Sequence, residues 1–182
     1  LLGQPANSLS TLAFMAAAPL VWRRGHRHVA SALAATGAGS FLFHGPMVPG
    51  SEWAHDVSLV WLLVTVGVAG SRWEQAGGWP ALGALGVTIA AFPALGDPLG
   101  ALAGAGAIGS VLVRQRTRRS WAALVLLGLG ALVGRMSATG GPWCRPETLM
   151  QGHAFWHLAA AASVILWVTQ TTEKPVEEPA LL

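Results

Sequence analysis

The sequence predicts an all-α protein, an integral membrane bundle of seven transmembrane helices. Three observations carry that prediction. Of 182 residues, 53% are hydrophobic and only 10% are charged, far below the roughly 25% of a soluble domain. The apolar residues fall into long runs bounded by charges and by Gly/Pro punctuation. The basic residues gather in short clusters between those runs, WRRGHRH (22–28) and VRQRTRRS (113–120), as in loops retained in the cytoplasm. The same clustering excludes nucleic acid as a partner, because no soluble basic face is left to bind it.

The first run, 8–22, follows the polar QPANS and lacks the basic start and cleavage site of a signal peptide, so it is expected to remain as a span. The second, 29–45, lies between the first arginine cluster and the turn-rich GPMVPG. The third, 54–71, ends at GSRWEQAGGWP. Residues 79–113 are apolar throughout and exceed the ~20 residues of one crossing. The GDP at 96–98 divides them into 79–95 and 98–113, with Pro98 suited to a helix's first turn. The runs 120–136 and 149–170 complete the set.

Arginine placement supports the double crossing. With it, Arg23, Arg24, Arg27, Arg72, Arg114, Arg116, Arg118 and Arg119 share one side with Lys174, leaving Arg135 and Arg145 opposite. This sets the N-terminus outside and the C-terminus in the cytoplasm, in a multi-pass protein of a bacterial inner membrane. Residues 1–172 form one domain, and the polar 173–182 a disordered cytoplasmic tail. Trp22, Trp73, Trp79, Trp121 and Trp143 fall near predicted helix ends, as interfacial anchors do. Gly96, Gly100 and Gly104 form a small-residue stripe explained by close helix packing. The single cysteine, Cys144, is read as a free loop thiol or one whose partner lay upstream.

Polar residues converge on the outer level of this bundle. His153 and His157 are i and i+4 on the last helix, about 6 Å apart along its axis. Ser40 and His44 repeat that spacing near the outer end of the second helix. Asp56 opens the third from the same side, and Asn7 opens the first. Ionisable groups within a span are costly and mark function. Three neutral imidazoles suit a catalytic zinc (Zn2+) site that keeps one position for water, and zinc brings the pKa of that water to about 7. His44, His153 and His157 are therefore the expected metal ligands, Asp56 the base or water-orienting group, and Ser40 the partner of the water or the oxyanion. His55, about 100° around the helix from Asp56, is expected to support the site from behind or face the lipid interface. His26 and His28 are read as solvated loop residues, and Asp97 as a turn residue before Pro98.

The set Ser40-x-x-x-His44, Asp56 and His153-x-x-x-His157 resembles that of the CREST superfamily of membrane hydrolases. QPANSLSTLAF (4–14) and PWCRPETLMQGHAFWH (142–157) are similar to the opening segment and the last loop and helix of its alkaline ceramidase branch. The resemblance covers nearly the whole chain. It implies seven transmembrane helices around a zinc ion held by the three histidines. It also implies hydrolysis of the N-acyl amide of ceramide, or of a ceramide-like membrane lipid, to a sphingoid base or amine and a fatty acid. Two departures stand out. The family's acidic, calcium-binding N-terminal segment has no counterpart before Asn7, where Gln4 replaces an expected glutamate, so no calcium site is predicted. The family cysteine near the N-terminus that can pair with the loop cysteine is absent, which leaves Cys144 unpaired.

Two other readings fit parts of the pattern. One is a non-catalytic or slowly hydrolytic lipid-binding, receptor-like protein with a structural zinc. The other is a b-type haem or proton-relay protein, disfavoured because two of the three histidines share one helix face.

Overall fold

The computed structural model describes residues 2–137, 140–145 and 148–169. Glu147, Lys174 and the predicted tail at 173–182 lie outside the described residues. The architecture is all-α, with no strand among the described residues. The elements are α1 (Pro5–Ser10), α2 (Leu12–Arg23), α3 (Arg27–His44), α4 (Ser51–Val68), α5 (Trp79–Ala91), α6 (Gly96–Arg114), α7 (Arg118–Met136) and α8 (Gly152–Val168). Each predicted run is matched by a helix or, for the first, by the pair α1–α2. Thr11 joins that pair in a helical conformation, and Pro5 starts α1 where its missing N–H costs nothing.

The predicted turn at 96–98 is shifted. The chain leaves α5 at Phe92 and makes a 3-10 turn over Pro93–Leu95. Gly96, Asp97 and Pro98 then form the first turn of α6. Proline disfavours helical geometry in the residue before it, so Pro93 stops α5 at Phe92, whereas Pro98 sits where an orphan N–H is lost without penalty.

Helix α4 packs between α3 and α6 and carries α5 on its side; α8 packs between α7 and α2. The short α1 touches both α3 and α8. One apolar cluster, centred on Phe14, Val21, Leu33, Trp61 and Trp167, binds α2, α3, α4 and α8. A smaller one, Val57, Val60 and Ile89, binds α4 to α5 and α6. The glycine stripe packs on α4 as expected: Gly100 faces Val60 and Gly104 faces Leu63.

Two helical stretches, Pro93–Arg114 and Arg118–Met136, are long and apolar enough to cross a membrane, with only 17% and 22% of their apolar windows buried. Of the five tryptophans expected at helix ends, Trp22, Trp79 and Trp121 are there, whereas Trp73 and Trp143 lie in the α4–α5 and α7–α8 loops; each is about half exposed. His26 and His28 depart from the solvated-loop expectation. Both are half-buried, His26 against the Trp167 ring and His28 beside Trp79 with its Nε2 3.2 Å from Gln75 Oε1.

Candidate metal centre

His44 is the last residue of α3, and His153 and His157 occupy successive turns at the start of α8. The helices bring one ligand atom from each imidazole within 4.8 Å of the others. Ring centroids are separated by 4.9 Å for His44 and His153, 5.2 Å for His44 and His157, and 4.7 Å for His153 and His157. His44 and His157 are buried, and His153 is half-buried.

The wedge between α3 and α8 is the N-terminal segment. Its backbone pairs with the end of α3, Gly3 N donating to Gly45 O at 2.8 Å and Gln4 N to His44 O at 2.9 Å. Gln4 Oε1 also lies 2.9 Å from His44 Nδ1 and accepts from Asn7 Nδ2 at 2.7 Å. An amide oxygen only accepts, so His44 Nδ1 carries the proton and Nε2 the lone pair. Ser10 makes the same assignment for His157. Its hydroxyl donates its one proton to Asn7 O at 2.8 Å, so Ser10 Oγ accepts from His157 Nδ1 at 2.8 Å. His44 Nε2 is buried without a hydrogen-bond partner among the described residues, as is Asn7 Oδ1.

A buried nitrogen lone pair with no partner is costly unless something uses it. Two imidazoles locked as Nδ1–H tautomers, with a third at ligand distance, form a donor set that fits zinc. No fourth His, Cys, Asp or Glu joins the group among the described residues.

The other predicted site residues lie around this group. Ser40 is buried on α3, one turn before His44. Asp56 pairs with its chain neighbour His55. Its Oδ1 accepts from His55 Nδ1 at 2.8 Å, and its carboxylate lines a cavity with Glu52, Trp53 and Ile89 on the α5 side. His55, expected behind the site, is the residue of this pair whose ring meets the cluster, 6.0 Å from the His44 ring. A cavity of about 280 Å³ opens beside His44 and His153, lined also by Gln4, Asn7, Phe43 and Arg145. Cys144 is a free thiol on its wall.

The roles of Gln4 and Ser10 toward the histidines are absent from the sequence reading. A signal for them exists: Gln4, Asn7 and Ser10 recur every three residues, a spacing that puts the cap residue and two residues of α1 on one face. Family models, curated proteins and solved structures yield no match to this chain.

Proposed function

We propose that the protein is a membrane-embedded, zinc-dependent amidohydrolase that cleaves the N-acyl amide of a ceramide-like lipid to an amine and a fatty acid. The observation that carries this reading is the convergence of three imidazole nitrogens from α3 and α8 within 4.8 Å. Closed structural zinc sites use four protein donors and hydrolytic ones use three. When bound, zinc supplies Lewis acidity toward the amide carbonyl and acidifies water.

The chain's own residues supply the rest. Gln4 and Ser10 hold the tautomers that aim nitrogen lone pairs into the site. The hydroxyl of Ser40 serves the oxyanion that develops on the carbonyl, a contribution of about 3–4 kcal/mol to such barriers. The cavity beside His44 and His153 has about 280 Å³, room for a headgroup and amide while the acyl chains stay in the bilayer.

Membrane residence is supported by the outward faces of α6 and α7. Leu102 and Val113 are 71% and 74% exposed, and Leu129 and Leu132 are also exposed. In water such faces would be a large uncovered apolar surface; in hydrocarbon they are solvated. With α1–α2 taken as one rod, we read the helices as seven crossings. On this reading the arginines at the ends of α2 and α6 and at the start of α7 lie on the cytoplasmic side, and Arg135 and the histidines near the opposite face. The likeness of Ser40, His44, Asp56, His153 and His157 to the alkaline ceramidase pattern points to the same chemistry.

The test couples metal analysis of the purified protein to fatty-acid release from a panel of N-acyl lipids. One zinc per chain with amide cleavage is the expected result. Stoichiometric zinc without cleavage of any lipid amide or ester would replace this reading by the binding-protein one.

A further inference from the structure

The hydrolase reading leaves open which group takes a proton from water and delivers it to the leaving nitrogen. We propose that His55 is that group and that Asp56 is its positioning residue, the two forming an Asp–His couple beside the three metal-binding histidines. The inference rests on the reading above and departs from the sequence expectation that Asp56 meets the water directly.

The His55 ring lies 6.0 Å from the His44 ring, nearly perpendicular to it at 84°. Phe43 packs on both, 5.1 Å from His55 and 5.0 Å from His44, and holds them side by side. On its other side His55 Nδ1 donates to Asp56 Oδ1 at 2.8 Å. Consecutive residues on a helix point about 100° apart, so this pairing requires the two side chains to turn toward each other. Asp56 is fixed in turn. A Cβ at Gly96 would stand 2.5 Å from Asp56 Oδ2, so the carboxylate sits against the first residue of α6, where the helix dipole favours negative charge.

A carboxylate that accepts the Nδ1–H of an imidazole fixes its tautomer, leaves Nε2 as the base, and stabilises the imidazolium that forms. The reaction balances without a further reactant. His55 Nε2 takes a proton from water as the water oxygen bonds to the amide carbon. It returns that proton to the amide nitrogen as the C–N bond breaks, giving a carboxylic acid and an amine. The fourth imidazole thereby does work that three metal ligands cannot.

The test uses the full chain, purified with zinc, as wild type, His55→Ala, His55→Gln and Asp56→Asn. Zinc per chain, kcat and KM for fatty-acid release from a short-chain N-acyl sphingoid lipid, and the tautomer of His55 by 15N-histidine NMR are measured. All four proteins should hold one zinc. Both His55 variants should lose kcat by about a hundredfold or more, with KM changed by less than about threefold. Wild-type His55 should show an Nδ1–H signal that Asp56→Asn shifts or loses. Loss of zinc in both His55 variants would overturn the assignment, because His55 would then be a ligand. Wild-type kcat in either His55 variant would overturn it too, and an inactive Asp56→Asn beside it would give the proton to Asp56. A zinc-loaded wild type that releases no fatty acid is a separate failure, removing the hydrolase reading and this role with it.

Discussion

Gln4 Oε1 stands 2.9 Å from His44 Nδ1 and 2.7 Å from Asn7 Nδ2, so one amide oxygen ties the first turn of the chain to a histidine 40 residues away. Partners of this kind hold a ligand ring in place and typically contribute 10- to 100-fold to metal affinity. Gln4→Ala should therefore weaken zinc binding by about 10- to 100-fold, while Gln4→Glu, which keeps an acceptor oxygen, should bind as tightly as wild type or more so. Competition against a chromophoric chelator measures both. Equal affinity in Gln4→Ala would show that the contact orients nothing.

Metal should also stabilise the fold, because the ligands come from α3 and α8 and unite only in the folded chain. Zinc at a hundred times its Kd should raise unfolding free energy by about 2.7 kcal/mol, and a chelator should remove that gain. His157→Ala should show no such rise. Thermal melts with and without zinc provide the check, and an unchanged response in His157→Ala would locate the ion elsewhere.

The α3–α4 seam that sets the height of His44 depends on close backbone approach. A Cβ at Gly39 would stand 2.7 Å from the Ala54 carbonyl oxygen, a backbone atom that cannot turn aside. One helical turn further along, Thr36 Oγ1 lies 3.0 Å from Ser58 O across the same seam and 2.8 Å from Ala32 O on its own helix, its single proton shared between the two carbonyls. Gly39→Ala should cost about 1–3 kcal/mol through overpacking, visible as a lower melting temperature. Gly109→Ala, on α6 with open space around it, should raise stability slightly through helix propensity.

Much of this was legible in the sequence because two signals are local. Apolar runs bounded by arginine and Gly/Pro located the helices, and His153-x-x-x-His157 declared a shared face by spacing alone. The meeting of His44 with that pair followed from alternating helix direction, which puts the end of α3 and the start of α8 at one level. Three things were not legible. The break of α5 at Phe92 depends on which of two prolines, Pro93 or Pro98, starts the next helix. The polar stripe of Gln4, Asn7 and Ser10 has meaning only once α1 is wedged between α3 and α8. The exchange of places between His55 and Asp56 is a rotamer choice. Sequence spacing fixes where a Cα sits on a helix, but not how two adjacent side chains turn toward each other.

Gly96 offers a way to disturb that choice without touching either residue. Its missing side chain lets the Asp56 carboxylate lie against the start of α6, and a methyl group there would meet Oδ2 at 2.5 Å. Gly96→Ala should push the carboxylate aside, loosening its hold on His55 Nδ1. The three histidines that could hold a metal lie on α3 and α8, and the atoms nearest a Cβ at Gly96 all belong to Asp56, so zinc content should stay at one per chain. Turnover should fall by about tenfold or more, as expected when a base loses its orientation. Gly100→Ala, one turn further along the same helix, is the matched control. A Cβ there would meet only Val60 Cγ2 at 3.9 Å, an ordinary contact, so zinc content and turnover should both match wild type. Equal loss in the two variants would mean that α6 packing as a whole, rather than the Asp56 carboxylate, governs the rate. Loss in Gly96→Ala alone, with zinc retained, would trace the effect from one absent methyl group through a carboxylate to the imidazole beside the metal site.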